Sequence, residues 1–304
     1  MAMRILVLLG AAAVLSLAMT PAEACTSFAW FGGGGPLYGM NFDWYPQLEI
    51  VFSVSSGPDG RDVFTMSYRQ GDTDPIQTVG MNSHGLFATM QVVDTDIGTG
   101  TPGEGEAMVW MPYVLAMWLA GGLDDIDAYL DTVRLVQYEE IPLHLMLADD
   151  DGRALIVEVG PDSNRIFPMG DSEFLAMTNF SHWDSRKLEE NELAGTGADR
   201  YRAACAGLAA AGPSLDVDGA LAVLEAALNG SEGFPTRASM VMDPAGQEVY
   251  LAVEGDMERV WVISLADRKI SGYRGVPEGL SADLPRDGIT SAAVSRLVEA
   301  EGPF

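Results

Sequence analysis

One of the two cysteines of this chain, Cys25, stands between a leader-like apolar segment and a predicted β-hairpin, and no other feature constrains the fold as much. Residues 1–4 make a short basic start, and residues 5–19 form an uncharged apolar run too short to span a bilayer comfortably. Residues 20–24 (TPAEA) resemble a cleavage region, with small residues at the two positions that a signal peptidase inspects. We therefore predict a signal peptide over residues 1–24 and a mature chain that begins with the free α-amine and thiol of Cys25. The mature protein is expected to be periplasmic or secreted, without stable insertion in a membrane.

Two other roles for Cys25 are open at this point. Bacterial lipoproteins also carry a cysteine after the signal peptide, usually with a larger aliphatic residue where Ala22 stands and a small one where Glu23 stands. An exported chain can also pair Cys25 with Cys205 in a disulfide. The alternatives are therefore a catalytic cysteine, a lipid-bearing cysteine and one half of a disulfide.

The residues after Cys25 predict a β-hairpin that brings a carboxylate close to it. Residues 26–31 (TSFAWF) and 37–42 (LYGMNF) have the pattern of strands, and the GGGGP sequence between them is typical of a turn. A hairpin folded about Gly34 pairs residues whose numbers add up to 68, which places Asp43 across from Cys25 on one face. A slip of one residue would move the carboxylate to the other face.

A terminal amine, a thiol and a carboxylate together predict a nucleophile that carries its own base. A free cysteine has a pKa of about 8.5 and an α-amine one of about 7.7 to 8.0, so part of the amine is neutral near physiological pH. That amine can take the thiol proton directly or through water. The carboxylate of Asp43 would orient the amine and stabilise it once charged. Activation of a nucleophile by an N-terminal amine has this form.

Four short motifs follow one another along residues 25–265. They are CTSF with GMNFDW at 25–28 and 39–44, GMNSHGL at 80–86, MTNF at 177–180, and TRASMVMD at 236–243. In this order they resemble the motifs of choloylglycine hydrolases and penicillin V acylases, which are N-terminal nucleophile (Ntn) hydrolases. The last motif is similar to a strand of the related acyltransferase branch. The resemblance implies an α+β fold, a four-layer αββα Ntn-hydrolase sandwich of two antiparallel sheets between helical layers, and cleavage of linear amide C–N bonds.

The same resemblance implies roles for individual residues. Cys25 would be the nucleophile and its amine the base, Asp43 the partner of the amine, and Asn179 a side-chain donor to the oxyanion. In the relatives a second oxyanion donor comes from the strand after the Asn-x-x-Gly-Leu turn. Here that strand offers the backbone N–H of Gln91 or of Val92.

Position 40 departs from the family pattern. Bile salt hydrolases and many penicillin acylases carry arginine three positions before the aspartate, and this chain carries Met40. The difference favours the acyltransferase-like branch and weighs against bile-salt specificity. Arg237 is a candidate for a positive charge near the nucleophile, the alternative being a surface or strand-end arginine.

The aromatic residues near the predicted site residues favour an apolar acyl or aryl pocket. Trp44 follows Asp43, while Phe180 and Trp183 follow Asn179. With Met40 they are the predicted lining of the substrate pocket.

Charge and histidine spacing exclude several classes of function. The net charge is -27, which repels phosphate backbones and anionic lipid heads, so we predict no nucleic-acid partner. The three histidines, His84, His144 and His182, lack the spacing of metal ligands, so we predict no metal site and no cofactor.

The remaining pattern predicts one domain over residues 25–304 in which hairpins and helices occupy separate stretches. Further hairpins are predicted at 79–93, 145–159 and 238–253, a strand at 260–265, and helices at 108–120, 123–136, 198–211 and 217–228. The tail, 266–304, has no assigned role beyond a short helix near 290–299.

The sequence thus predicts an exported cysteine Ntn amidase that hydrolyses a small-molecule N-acyl amide through a thioester on Cys25. Candidate substrates are acyl-homoserine lactones, acyl-amino acids, penicillin V and conjugated bile acids. One alternative is an acyltransferase that passes the acyl group to an amine. Another is a non-catalytic lipoprotein or disulfide-bridged binding protein. No oligomeric state is predicted.

Overall fold

A computed structural model describes residues 25–299 except 72, 96, 98, 139 and 140. The predicted signal peptide, 1–24, lies outside the described residues. In chain order the strands are β1 (Thr26–Gly32), β2 (Gly35–Asp43), β3 (Glu49–Ser56), β4 (Asp62–Arg69), β5 (Ile76–Asn82), β6 (Phe87–Val92), β7 (Glu106–Met108), β8 (Arg134–Val136), β9 (Leu143–Ala148), β10 (Ala154–Val159), β11 (Asn164–Pro168), β12 (Phe174–Met177), β13 (Thr236–Asp243), β14 (Glu248–Val253), β15 (Val260–Ser264), β16 (Lys269–Arg274), β17 (Ser281–Asp283) and β18 (Ile289–Thr290). The helices are α1 (Met111–Trp118), α2 (Leu123–Leu130), α3 (His182–Ser185), α4 (Ala198–Ala211), α5 (Val217–Ala226) and α6 (Ser291–Glu299).

Most of the strands form two antiparallel sheets of eight strands each. The first sheet has the order β12-β1-β2-β13-β14-β15-β16-β17, and the second β11-β10-β9-β6-β5-β4-β3-β18. The short strands β7 and β8 form a separate parallel pair. Within the described residues, no helix has the length and apolar character needed to cross a membrane.

The alternation of side chains along each strand produces the layers. In β2, Met40 and Phe42 point into an apolar core between the two sheets, whereas Leu37 packs in a second core with α4 and α5. In β9, Met146 belongs to the core between the sheets and Leu145 to a third core with α1 and α2. The four-layer αββα sandwich predicted from the sequence is confirmed.

The predicted hairpins and helices form, but the extents of two helices clearly differ: the helix predicted over 108–120 is reduced to α1 (Met111–Trp118), and Met108 belongs to β7. Helix α4 spans the predicted residues 198–211, but the helix predicted over 123–136 ends at Leu130. Residues Arg134–Val136 instead form β8, which pairs with β7. The apolar residues of this stretch fit a helical spacing, but pairing with another strand overrides that local pattern.

The β1–β2 hairpin also forms, but its predicted register is wrong by one residue. Thr26 pairs with Asn41, so paired numbers add up to 67, and Gly33 and Gly34 form a two-residue turn. Two-residue turns are favoured in hairpins because their twist matches that of the strands. Asp43 therefore does not lie directly across from Cys25.

The C-terminal tail, whose role the sequence left open, completes both sheets. Strands β16 and β17 extend the first sheet beyond β15. The chain then crosses to the second sheet, where Ile289 in β18 pairs with Phe52 in β3. Helix α6 follows directly. The assignment of residues 25–304 to one domain stays a prediction.

Candidate active site

Cys25 directly precedes β1, and its side chain lies in the core between the two sheets, 2% exposed. Burial raises the pKa of the Cys25 thiol to about 12, and the negative charge of Asp43 adds to the rise. The backbone N–H of Asp43 and the positive charge of Arg200 act in the opposite direction on this pKa. While Cys25 is joined to Ala24, its nitrogen is an amide and cannot serve as a base. With a pKa of about 12, the thiol is almost wholly protonated at neutral pH.

The carboxylate of Asp43 is fully buried and both its oxygens accept hydrogen bonds. Arg200 Nη1 lies 2.6 Å from Asp43 Oδ2, and the Thr236 hydroxyl donates to Oδ1 across 2.6 Å. Burial raises the pKa of Asp43 to about 6, while the Arg200 charge and the Thr236 hydroxyl lower it. The structure thus places Asp43 close to Cys25 despite the shifted register. Its role as partner of the α-amine stays a prediction.

Asn179 follows β12 and is held from several sides. Its side-chain Nδ2 donates to the Val92 carbonyl across 2.7 Å, and Arg200 Nη2 donates to its Oδ1 across 3.4 Å. Its backbone carbonyl accepts the N–H of Asp94 across 2.8 Å. Asn179 is 1% exposed, so this amide is a fixed donor in the buried part of the site.

In β6 the backbone N–H and carbonyl of Val92, and not those of Gln91, face Asn179. Hydrogen-bonded and non-hydrogen-bonded pairs alternate along an antiparallel ladder. Val93 donates its backbone N–H to the Pro142 carbonyl across 3.0 Å, so Gln91, two residues earlier, also directs its backbone toward β9. The N–H and carbonyl of Val92 point away from β9, toward the side where Asn179 lies.

Arg200 and Thr236 are site residues that the sequence analysis missed. Thr236 precedes Arg237 at the start of β13, where it pairs with Asp43. Arg200 lies on the same face of α4 as the buried residues Ala204 and Leu208. The sequence did carry a signal for Arg200, because it lies four residues before Ala204 and eight before Leu208 on one face of a predicted helix. A charged side chain on a buried face needs a partner.

The structure does not bring Arg237 together with the nucleophile. Its guanidinium donates to Glu254 across 2.7 and 2.9 Å and to the Tyr45 carbonyl across 2.7 Å. The register of β13 on β2 shifts between Thr236 and Ala238, so Arg237 is left out of the pairing with β2. The cation that acts on the Cys25 thiol is that of Arg200.

Met40 is fully buried between the sheets. Its sulfur accepts hydrogen bonds from the hydroxyls of Ser27, at 3.2 Å, and Thr89, at 2.9 Å. The side-chain amide of Gln91 donates to Ser27 and approaches the same sulfur at 3.8 Å. Position 40 therefore belongs to a closed, uncharged polar cluster.

The predicted aromatic pocket divides into two groups. Trp44 belongs to an aromatic cluster whose ring centroids lie 4.4 to 6.4 Å apart. The members of this aromatic cluster are Phe42, Trp44, Tyr45, Tyr68 and Phe234. Burial raises the pKa of the Tyr68 hydroxyl, and the nearby charge of the Cys25 thiolate raises it further. Phe42, Trp44 and Tyr68 also pack in the same core between the sheets as Cys25.

Phe180 and Trp183 lie elsewhere. Phe180 packs against His182 and Tyr201, with ring centroids at 5.2 and 5.1 Å, and borders cavities of about 380 and 210 Å³. Trp183 lies between the guanidinium groups of Arg165 and Arg186, at 4.3 and 3.7 Å from its ring. Among the described residues no ring contact joins these residues to Trp44.

The two cysteines and the histidines complete the account of the predicted residues. Cys25 and Cys205 are both free thiols, so the disulfide alternative is wrong: Cys25 packs between the sheets and Cys205 in the helix layer. His144 Nδ1 lies 3.6 Å from the buried Glu158 carboxylate, which also accepts the backbone N–H of His182. In the part of the chain that is described, no three His, Cys, Asp or Glu residues are arranged to hold a metal ion.

Comparison with known proteins shows similarity in structure alone. No family model and no curated protein matches this sequence. Two structures of variants of the conjugated bile acid hydrolase from Clostridium perfringens superpose with TM-scores of 0.60 and 0.61, each at 17% identity, over 82% of this chain and 96% or 97% of the other. Penicillin V acylase from Agrobacterium tumefaciens superposes with a TM-score of 0.54 at 16% identity, over 80% of this chain and 86% of the other. The fold is therefore that of the Ntn hydrolases, as the motifs implied.

Proposed function

We propose that the processed protein is an exported cysteine amidase that hydrolyses the C–N bond of a linear N-acyl amide through a thioester on Cys25. The observation that carries this proposal is the buried ion pair of Asp43 and Arg200, whose two charges both act on the buried Cys25 thiol. The names of the structural neighbours, a bile acid hydrolase and a penicillin acylase, support the same reaction class.

The reaction begins with transfer of the thiol proton to the α-amine of Cys25, as the thiolate attacks the amide carbonyl carbon. The resulting oxyanion accepts hydrogen bonds from Asn179 Nδ2 and from the backbone N–H of Val92, which points to the same side of β6. The C–N bond then breaks, and the departing amine takes the proton held by the ammonium. Water then attacks the thioester and gives a proton to the α-amine of Cys25. The C–S bond breaks, the acid is released, and the ammonium returns its proton to the thiolate.

Processing supplies the base that the unprocessed chain lacks. With a pKa of about 12, the thiol has on the order of one thiolate in 100,000 molecules at pH 7. A freed α-amine next to Asp43 accepts the proton and, once charged, is stabilised by the carboxylate. The negative charge of Asp43, which hinders thiolate formation before cleavage, thus supports it afterwards.

The burial of Cys25 argues against a lipid anchor. A lipid-bearing cysteine must extend toward a membrane, whereas this thiol is 2% exposed and packs between two sheets. The acyltransferase alternative uses the same site and differs only in whether water or an amine resolves the thioester. Analysis of the products with and without an added amine acceptor distinguishes the two reactions.

The aromatic cluster beside Cys25 supports an apolar acyl or aryl group on the substrate. Trp44 and Tyr68 have ring centroids 5.7 Å apart, and Phe42 stacks on both at 6.0 Å. Aromatic side chains of this kind commonly line small-molecule sites. N-acyl amides with an apolar acyl part are therefore the proposed substrate class.

The direct test uses protein whose first residue is Cys25, freed from a removable tag, with Cys25→Ser as the matched variant. Each is assayed against acyl-homoserine lactones, acyl-amino acids, penicillin V and conjugated bile acids, and the intact mass is followed during turnover. We expect hydrolysis and an acyl adduct on Cys25 in the first protein alone. Turnover that survives in Cys25→Ser at the same rate would refute the thioester mechanism.

A further inference from the structure

We infer that Arg200 is a positioning residue that joins Asp43, the carboxylate that supports the base, and Asn179, the oxyanion donor of the proposed amidase, into one unit. Its guanidinium lies between the Asp43 carboxylate, 2.6 Å from Nη1, and the Asn179 amide oxygen, 3.4 Å from Nη2. The inference rests on the proposed function and assigns to α4 a part in catalysis.

The fork of the guanidinium makes this double contact possible. Arginine carries five N–H donors in one rigid plane, so two of its nitrogens can address two different acceptors at once. Helix α4 is anchored on the first sheet by Ala204 and Leu208, which are 0% and 1% exposed on the same face as Arg200. The position of the guanidinium is thus set by a packed helix.

The contact with Asn179 determines which way its amide faces. Arg200 can only donate and the Val92 carbonyl can only accept, so Asn179 Oδ1 must face the guanidinium and Nδ2 the carbonyl. One N–H of Nδ2 is used by Val92, which leaves the other for the oxyanion. Without Arg200 only the Val92 carbonyl holds the amide in this orientation, and the second N–H is less firmly directed at the oxyanion.

The contact with Asp43 keeps that carboxylate charged. A buried carboxylate without a cation takes up a proton, and Arg200 opposes the effect of burial on Asp43. The same positive charge also favours the Cys25 thiolate. Removal of Arg200 is therefore expected to impair the base, the nucleophile and the oxyanion donor together.

The experiment compares Arg200→Met and Arg200→Lys with Arg202→Met in processed protein. Arg202 is the matched control, because it lies on the same helix and donates to the Leu193 carbonyl across 2.9 Å. Two quantities are measured: kcat on an amide that the processed protein hydrolyses, and the pH profile of Cys25 alkylation by iodoacetamide. The second needs no substrate.

For Arg200→Met we expect kcat to fall about 100- to 1000-fold, the size of losing one oxyanion donor. Its alkylation profile should move to higher pH by about one unit, which lowers the rate of Cys25 alkylation about tenfold at a given pH below the pKa. Arg200→Lys keeps the charge but not the fork, so it should keep the alkylation profile and still lose kcat. If Arg200→Met does not fold, the lysine variant alone decides the matter.

An alkylation profile and a kcat that match those of Arg202→Met in both Arg200 variants would overturn the inference. That result would leave the proposed function intact as long as Cys25→Ser is inactive. Persistent turnover in Cys25→Ser would instead overturn the proposed function, whatever the Arg200 variants show.

Discussion

Asn179 donates its side-chain amide to the backbone carbonyl of Val92 across 2.7 Å, and this bond joins the two sheets at the candidate active site. Asn179 follows β12 of the first sheet, and Val92 ends β6 of the second. The proposed oxyanion site therefore depends on how the sheets are held relative to each other.

Removal of the segment before Cys25 should create the activity. A chain with an uncleavable extension before Cys25 is expected to show no turnover, because its thiol pKa stays at about 12 and no amine is present. Iodoacetamide should label its Cys25 far more slowly at pH 7 than in processed protein. Cys205 serves as the internal control, since burial raises the pKa of this thiol to about 11 and the extension is not attached to it. Full activity with the extension in place would contradict the mechanism.

Asn179→Ala should lower kcat of the processed enzyme about 100- to 1000-fold, because one oxyanion donor is lost. Alkylation of Cys25 should continue at a rate close to that of the parent, since Asp43 and Arg200 remain. Steady-state kinetics and mass spectrometry measure the two quantities on the same samples. Equal losses of kcat and alkylation rate would assign Asn179 to the support of the nucleophile instead.

Met40→Arg should destabilise the fold. The Met40 sulfur is enclosed by Ser27 and Thr89, with no carboxylate among its hydrogen-bond partners, so a guanidinium there would be a buried, unpaired charge. We expect a loss of about 3 to 5 kcal/mol in the free energy of unfolding, against less than about 1.5 kcal/mol for Met40→Leu. Denaturant melts of the three proteins measure the difference.

The sequence analysis assigned Met40 a second effect, on substrate choice. If arginine at this position favours anionic substrates in the relatives, Met40→Arg should shift the ratio of specificity constants toward anionic amides. The ratio is measured with one neutral and one anionic amide at a temperature where the variant is folded. An unchanged ratio would show that position 40 affects stability alone.

Thr236→Val should move the acid limb of the kcat/KM profile to higher pH. The Thr236 hydroxyl lowers the pKa of Asp43, which stands at about 6 in the folded chain, and valine cannot donate that hydrogen bond. Asp43 must be ionised to stabilise the ammonium, so activity is expected to fall as pH drops through this pKa. A profile identical to that of the parent would show that Asp43 does not govern the acid limb.

The same pKa also predicts how the free energy of unfolding depends on pH. Activity should rise with pH in this range, whereas the contribution of Asp43 to stability should fall. Because the pKa of Asp43 is raised from 3.8 to about 6 on folding, the folded chain binds more protons than the unfolded chain between these values. The contribution of Asp43 to the free energy of unfolding is thus lost as pH rises from 3.8 to about 6. Asp43→Asn should lack this dependence, and melting temperatures of the two proteins across this range test it.

The sequence predicted the residues whose environment is local and missed those that depend on distant packing. The strand and turn pattern predicted a hairpin that brings Asp43 close to Cys25, whereas the four-layer sandwich and the role of Asn179 came from the resemblance of the motifs to a known family. Arg200 meets Asp43 across 157 residues of chain, and only the packing of α4 on the first sheet brings them together. The hairpin register failed because the turn residues, all glycines, do not mark which two of them form the turn.

The C-terminal strands have a consequence for the behaviour of the protein in solution. The strands that end the two sheets, β11, β12, β17 and β18, are two to five residues long. Strand β3, with eight residues of which four are apolar, would be open along its whole edge if β18 did not pair with it. Long open edges recruit strands from other molecules, whereas short ones offer few unpaired backbone groups. The two residues of β18 pair with Val51 and Phe52 and so shorten the stretch of β3 that another strand could join.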